Sequence, residues 1–176
     1  MPYTVIMSPF IKSINADDIS HKRESFIYLA KFLHGQISNE KATFKEKDVF
    51  LHFAGILMLL DADIYGEYYE DDINAAVNLL ETGQFCLGPA IFFAGASTIS
   101  NRSIRQLISS KIPALINFAS TPENDMISRR GVAESISIIV SNKLFNSFLP
   151  QYADFRGSLL GPSENGVLQQ ISKRVD

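Results

Sequence analysis

Residues 82–101 carry no charged side chain, and this constrains the chain more than any other feature. A run of that length calls for burial, either across a membrane or at the centre of a folded core. Its interior decides between the two. Gly83, Gly88, Pro89, Gly95, Ser97, Thr98 and Ser100 interrupt it, and only residues 89–96 are densely apolar. A membrane span needs about 20 predominantly apolar residues in one helix. The run is therefore read as a short buried central helix, opened by Gly88 and Pro89, since proline suits the first helical position.

A buried helix needs others around it, and the rest of the chain supplies them. Apolar residues recur mostly at three and four positions rather than in alternation, which favours helices over strands. The first helix is expected from the capping region Asp17, Asp18, Ile19 and Ser20, with Phe26, Ile27, Ala30, Leu33 and Ile37 as its stripe and Gly35 near its end. The second opens on a capping box, Thr43 with Glu46, and runs through Phe50, Phe53, Ile56, Leu57 and Leu60. It is apolar nearly all round, as buried helices are. A third starts at about Asp72, turns Ile73, Ala76, Val77 and Leu80 inward, and stops at Gly83. Pro113 is expected to open a short fifth helix through Leu115, Ile116 and Phe118. Thr121, Pro122 and Glu123 start a long sixth one that Pro150 ends, with Met126, Ala133, Ile136, Val140, Leu144 and Phe148 as its stripe. The expected fold is all-α: an irregular or orthogonal bundle of about six helices in one domain over 1–176. An extended arm covers 1–16, the helical core 17–160 and a polar tail 161–176. Phe53, Leu57, Val77, Phe93 and Val140 are expected in the core.

Composition agrees. A chain of 176 residues that is 46% apolar and 20% charged can bury one sizeable core without staples. Its net charge of −3 and pI of about 5.6 supply no global basic field for nucleic acid or anionic lipid. Cys86 is the only cysteine, so no intramolecular disulfide forms, and its neighbours Phe85 and Leu87 mark it as an inert core thiol. The opening residues lack the basic n-region and long apolar h-region of a secretory signal, so a cytoplasmic location is expected.

Signatures of catalysis are missing. His21, His34 and His52 show no metal-ligand spacing; His21 and His34 are expected on exposed faces of the first helix and His52 on the rim of the second. There is no nucleophile elbow, phosphate-binding glycine loop or dinucleotide fingerprint. The sequence is read as non-enzymatic and without a cofactor.

The sharpest local signal is the acidic segment 61–72. Carboxylates stand at its first and third positions (Asp61, Asp63), glycine at its sixth (Gly66) and a carboxylate at its twelfth (Asp72), between two amphipathic flanks. That pattern resembles the calcium loop of the EF-hand family over residues 53–80. The resemblance implies calcium held by Asp61, Asp63 and Asp72, with Glu67 lending a backbone carbonyl. Tyr65 stands where the family places a third oxygen ligand. The other reading is an acidic connector whose Asp71 and Asp72 cap the next helix.

A second resemblance is to the Bcl-2 family of death regulators. It rests on Leu79, Leu80, Glu81, Thr82 and Gly83 ahead of Gly88, Pro89, Ala90, Ile91, Phe92 and Phe93, and on Tyr152, Ala153, Asp154 and Phe155 ahead of Leu159, Leu160 and Gly161. It implies a groove that accepts an amphipathic helix. Arg102, Arg105, Arg129 and Arg130 are the one arginine grouping, suited to phosphate or another anion, as in a coat-type protein that packages nucleic acid. Weighed together, these features describe a helical interaction or assembly protein that associates with itself or another protein.

Overall fold

The computed structural model describes residues 23–66 and 68–142. Within them lie six α-helices, one 3₁₀ turn and no strand, so the all-α expectation holds. In chain order they are α1 (Arg23–Ile37), α2 (Phe44–Leu60), the 3₁₀ turn (Ala62–Tyr65), α3 (Tyr69–Glu81), α4 (Leu87–Ala96), α5 (Arg102–Ser120) and α6 (Met126–Ser141). The arm 1–16, the start at Asp17, Leu144, Phe148, Pro150 and the tail 161–176 lie outside the described residues.

The central helix is where the charge-free run placed it. Every residue of α4 is buried. It packs most extensively against α2, then against α6 and α3. The α2–α4 approach is so close that glycine is required: a Cβ on Gly95 would sit 2.6 Å from the Gly55 carbonyl oxygen. Pro89 is the third residue of α4 rather than the first, still within the turn that needs no intrahelical donor. The N-cap of α4, Cys86, makes no side-chain cap bond; instead Asp48 of α2 accepts from the Gly88 N–H at 2.8 Å. Burial raises the Asp48 carboxyl pKa despite that bond, and burial also pushes the Cys86 thiol up to about 12. Cys86 is therefore a neutral thiol in the core, as its apolar neighbours suggested.

Local signals were accurate where they were chemically specific. The Thr43 hydroxyl accepts from Glu46 N–H, and the Glu46 carboxylate accepts from Thr43 N–H at 2.8 Å. The hydrogen bonds from Thr43 hold the Glu46 carboxyl below its ordinary range. Gly83 follows α3 with φ +71°, a left-handed conformation that glycine adopts without a Cβ penalty.

Elsewhere tertiary packing overrode the sequence expectation. Pro113 does not open a helix but lies inside α5, which runs unbroken from Arg102. Proline there forfeits a backbone bond, a cost of about 3 kcal/mol. The loss is offset because Ile108, Ile112, Leu115, Phe118 and Ala119 stay buried on both sides of it. α6 starts later than expected: its cap is Asp125, which accepts from Ser128 N–H at 2.8 Å, while residues 121–123 belong to the preceding turn. α3 starts earlier, at Tyr69 rather than Asp72. Gly35 does lie near the end of α1, as expected. Phe53, expected inside, is 52% exposed, as is Met126; Val77 is half-buried, while Leu57, Phe93 and Val140 are in the core. One apolar cluster takes residues from all six helices, with Ile56, Leu87 and Ile91 as a satellite between α2 and α4.

Candidate interaction surface

The acidic segment does not gather its carboxylates on one point. Asp61 ends α2 and caps the 3₁₀ turn: Oδ1 accepts from Asp63 N–H at 3.0 Å, and Oδ2 pairs with Arg23 at 2.8 Å. Asp63 is exposed. Glu67 lies outside the described residues. Asp72 turns the other way, into the core, with 1% of its surface exposed. Neither Asp71 nor Asp72 caps α3, whose N-cap is Tyr68 without a side-chain bond; with Glu70 they occupy the first turn, where negative charge suits the helix dipole. Among the described residues, no group of three or more His, Cys, Asp or Glu side chains converges to hold a metal ion.

What Asp72 does instead is join three elements. Tyr65 of the 3₁₀ turn donates its hydroxyl to Oδ2, and His34 Nδ1 of α1 lies 3.0 Å from Oδ1. The His34 ring stacks on Tyr68 at 4.6 Å, and Tyr65 sits edge-on to Tyr68 and to Phe92 of α4. Burial raises the Asp72 pKa against the lowering effect of these bonds, and burial with the Asp72 charge raises that of Tyr65. A buried polar group is tolerated when its partners are supplied, and here both carboxylate oxygens are engaged. Tyr65, the misfit in the cation-loop pattern, is thus the residue that holds Asp72 inside. His34 is half-buried rather than on an open face, and His52 is buried rather than on a rim. Burial depresses the His52 imidazole to about 4. His21 lies outside the described residues.

The arginines separate. Arg102 is the exposed first residue of α5 and Arg105 is half-buried one turn on. Arg129 donates from Nε to the Ala119 carbonyl at 2.9 Å, near the other end of α5. With a helical rise of about 1.5 Å per residue, the two groups stand roughly 25 Å apart. Arg130 pairs with Glu134, one turn along α6, at 3.7 Å. They form no single anion site. A cleft of about 420 Å³ opens between the 3₁₀ turn and the α4–α5 connection, lined by Asp63, Gly66, Tyr69, Thr98 and Ser100 among others.

The surface feature that sequence reasoning missed is on α1 and α2. Ile27, Tyr28, Leu29 and Phe32 of α1, and Phe44, Val49 and Phe53 of α2, are all exposed large apolar residues. Tyr28 is 75% exposed and Phe32 is 47% exposed. Phe32 meets the half-buried Phe50 edge-on at 6.4 Å, which carries the apolar surface across from α1 to α2. The remaining exposed large apolar side chains among the described residues, Met126, Ile127 and Ile138, are on α6. A signal for the face was present. Residues 26–30 are five consecutive apolar side chains, which encircle a helix, whereas one neighbour can cover only one side. α1 packs on α2, on the 3₁₀ turn and lightly on α3, and its buried residues are Ala30, Leu33 and Ile37.

No described helix is long and apolar enough to cross a membrane. In comparisons with known proteins, no family model, no curated protein and no solved structure matches this chain.

Proposed function

We propose that this protein is a helical interaction module that works through the apolar face of α1 and α2. The observation that carries the reading is the grouping of seven exposed large apolar side chains on those two adjacent helices, among them Tyr28, Phe32 and Phe53. Isolated apolar side chains on a surface are ordinary, but so many on two helices packed together, with Phe32 meeting Phe50 between them, favour a place where another surface docks. Aromatic residues are the type enriched at the centre of protein interfaces. The rim is polar: Glu24, Lys31, Lys45 and Glu46 flank the apolar residues.

A photoreactive phenylalanine analogue at Phe32 of the full chain tests this. It should cross-link to polypeptide, while the same probe at exposed Asn74 of α3 should not. Equal labelling from both positions, or none from position 32, sinks the reading. Tyr28→Asp with Phe32→Asp should abolish the cross-link from a probe at Phe53 without unfolding the chain, because a charge placed there opposes burial in an interface.

A further inference from the structure

We infer that the surface docking on this face is a second copy of the chain, with α1 packed antiparallel on α1 of its partner. The inference rests on the module reading above and names its occupant. The outward side of α1 is Glu24, Ile27, Tyr28, Lys31, Phe32 and Gly35. These recur at steps of three and four, so they lie on one helical face. The opposite side, Ala30, Leu33 and Ile37, is spent on the core. Among the described residues, α1 therefore carries two apolar faces and only one is covered.

Charge placement selects the occupant. The outward face holds one carboxylate, Glu24, and one ammonium, Lys31, seven residues apart, and neither has an ion-pair partner among the described residues. Seven residues are two turns, about 10 Å along the helix, too far for the two to pair within one chain. Turning a second α1 end for end about an axis between Ile27 and Tyr28 brings Glu24 of each copy opposite Lys31 of the other. The same operation lays the Ile27 and Tyr28 of one helix on the Tyr28 and Ile27 of the other. One symmetry operation then gives two Glu24–Lys31 pairs, one partner for each charge, the isologous arrangement that dominates soluble homo-oligomers. In the α1–α2 connection and the first turn of α2 the exposed charges also alternate in sign, Glu40 with Lys41 and Lys45 with Glu46, although the chain as a whole carries −3. Gly35 adds access: a Cβ built there meets nothing within 4 Å, so the backbone lies open to a close neighbour.

Sedimentation equilibrium of the purified full chain tests the pairing by charge exchange. The unsubstituted chain should be a dimer. Lys31→Glu alone and Glu24→Lys alone should each weaken dimerisation about tenfold, because each sets like charges opposite one another at two places. The double variant Glu24→Lys with Lys31→Glu should restore it, and mixing the two single variants should yield a heterodimer. Circular dichroism and the thermal midpoint of each variant should match the parent, since both side chains are exposed. A chain that stays monomeric at every attainable concentration overturns the inference, and so does a double variant no stronger than the singles. If the chain is monomeric while the probe at Phe32 labels a different polypeptide, the module reading survives and the second copy does not. If the probe labels nothing, both fall.

Discussion

Helices α4 and α1 draw on similar apolar residues, yet one is wholly enclosed and the other half open. α4 buries all its residues between α2, α3 and α6, and its glycines are contact points: Gly88 and Gly95 leave no space for a methyl group. α1 buries Ala30, Leu33 and Ile37, while Tyr28 and Phe32 face out and Gly35 has open space around it. Hydrophobicity alone does not separate an enclosed helix from a half-open one. What separates them is how many sides have neighbours among the described residues.

The contrast can be broken most sharply at the glycines. Gly95→Ala should destabilise the chain by about 3 kcal/mol, because the added carbon meets the Gly55 carbonyl and the Met58 Cβ at 2.8 Å and the two helices must part. Gly35→Ala should stabilise the monomer by about 0.5 kcal/mol through helix propensity. Urea unfolding of both variants checks the pair; equal effects would mean that α4 and α1 are not enclosed to different degrees.

A similar magnitude is expected from His52, on the enclosed side of the comparison. Its folded-state pKa of about 4 lies below the ordinary 6.5, so the stability it contributes is present in full above pH 6.5 and is lost as pH falls towards 4. The loss is about 3 kcal/mol. Asp72, whose pKa is raised, acts with the opposite sign, so the quantity to read is the difference between the parent chain and His52→Gln across that window. A parallel pH dependence of the two would show that His52 is hydrated. Next comes Tyr65→Phe, which leaves a buried Asp72 oxygen without its hydroxyl donor and should cost about 2 kcal/mol by thermal or urea unfolding. The smallest effect is on the open side. Tyr28→Ser should change unfolding free energy by less than about 0.5 kcal/mol while it weakens whatever association the face supports. A large loss of stability in that variant would place Tyr28 in the core of its own chain.

Much of the fold was legible because certain residues act through local chemistry. The Thr43–Glu46 box, the left-handed Gly83 and the charge-free run behind α4 depend on groups within a turn or two of one another. Pro113 shows the limit of that logic. A rule about helix starts favoured a break, but the buried stripe of α5 continues on both sides of the exposed proline. Phe53 shows another. On a helix apolar nearly all round, the side chain left in water is chosen by where the neighbouring helices stop.

The sequence by itself determined that the described residues are helical, that 89–96 lie at their centre, and where α2 begins and α3 ends, because periodicity and capping are read within a few residues. Only the tertiary structure decided that Asp72 turns inward to Tyr65 and His34, that the arginines stand at opposite ends of α5, and that among the described residues one face of α1 is uncovered. Those outcomes depend on contacts between residues some tens of positions apart, such as His34 with Asp72, and no local pattern encodes which distant side chain fills a given space.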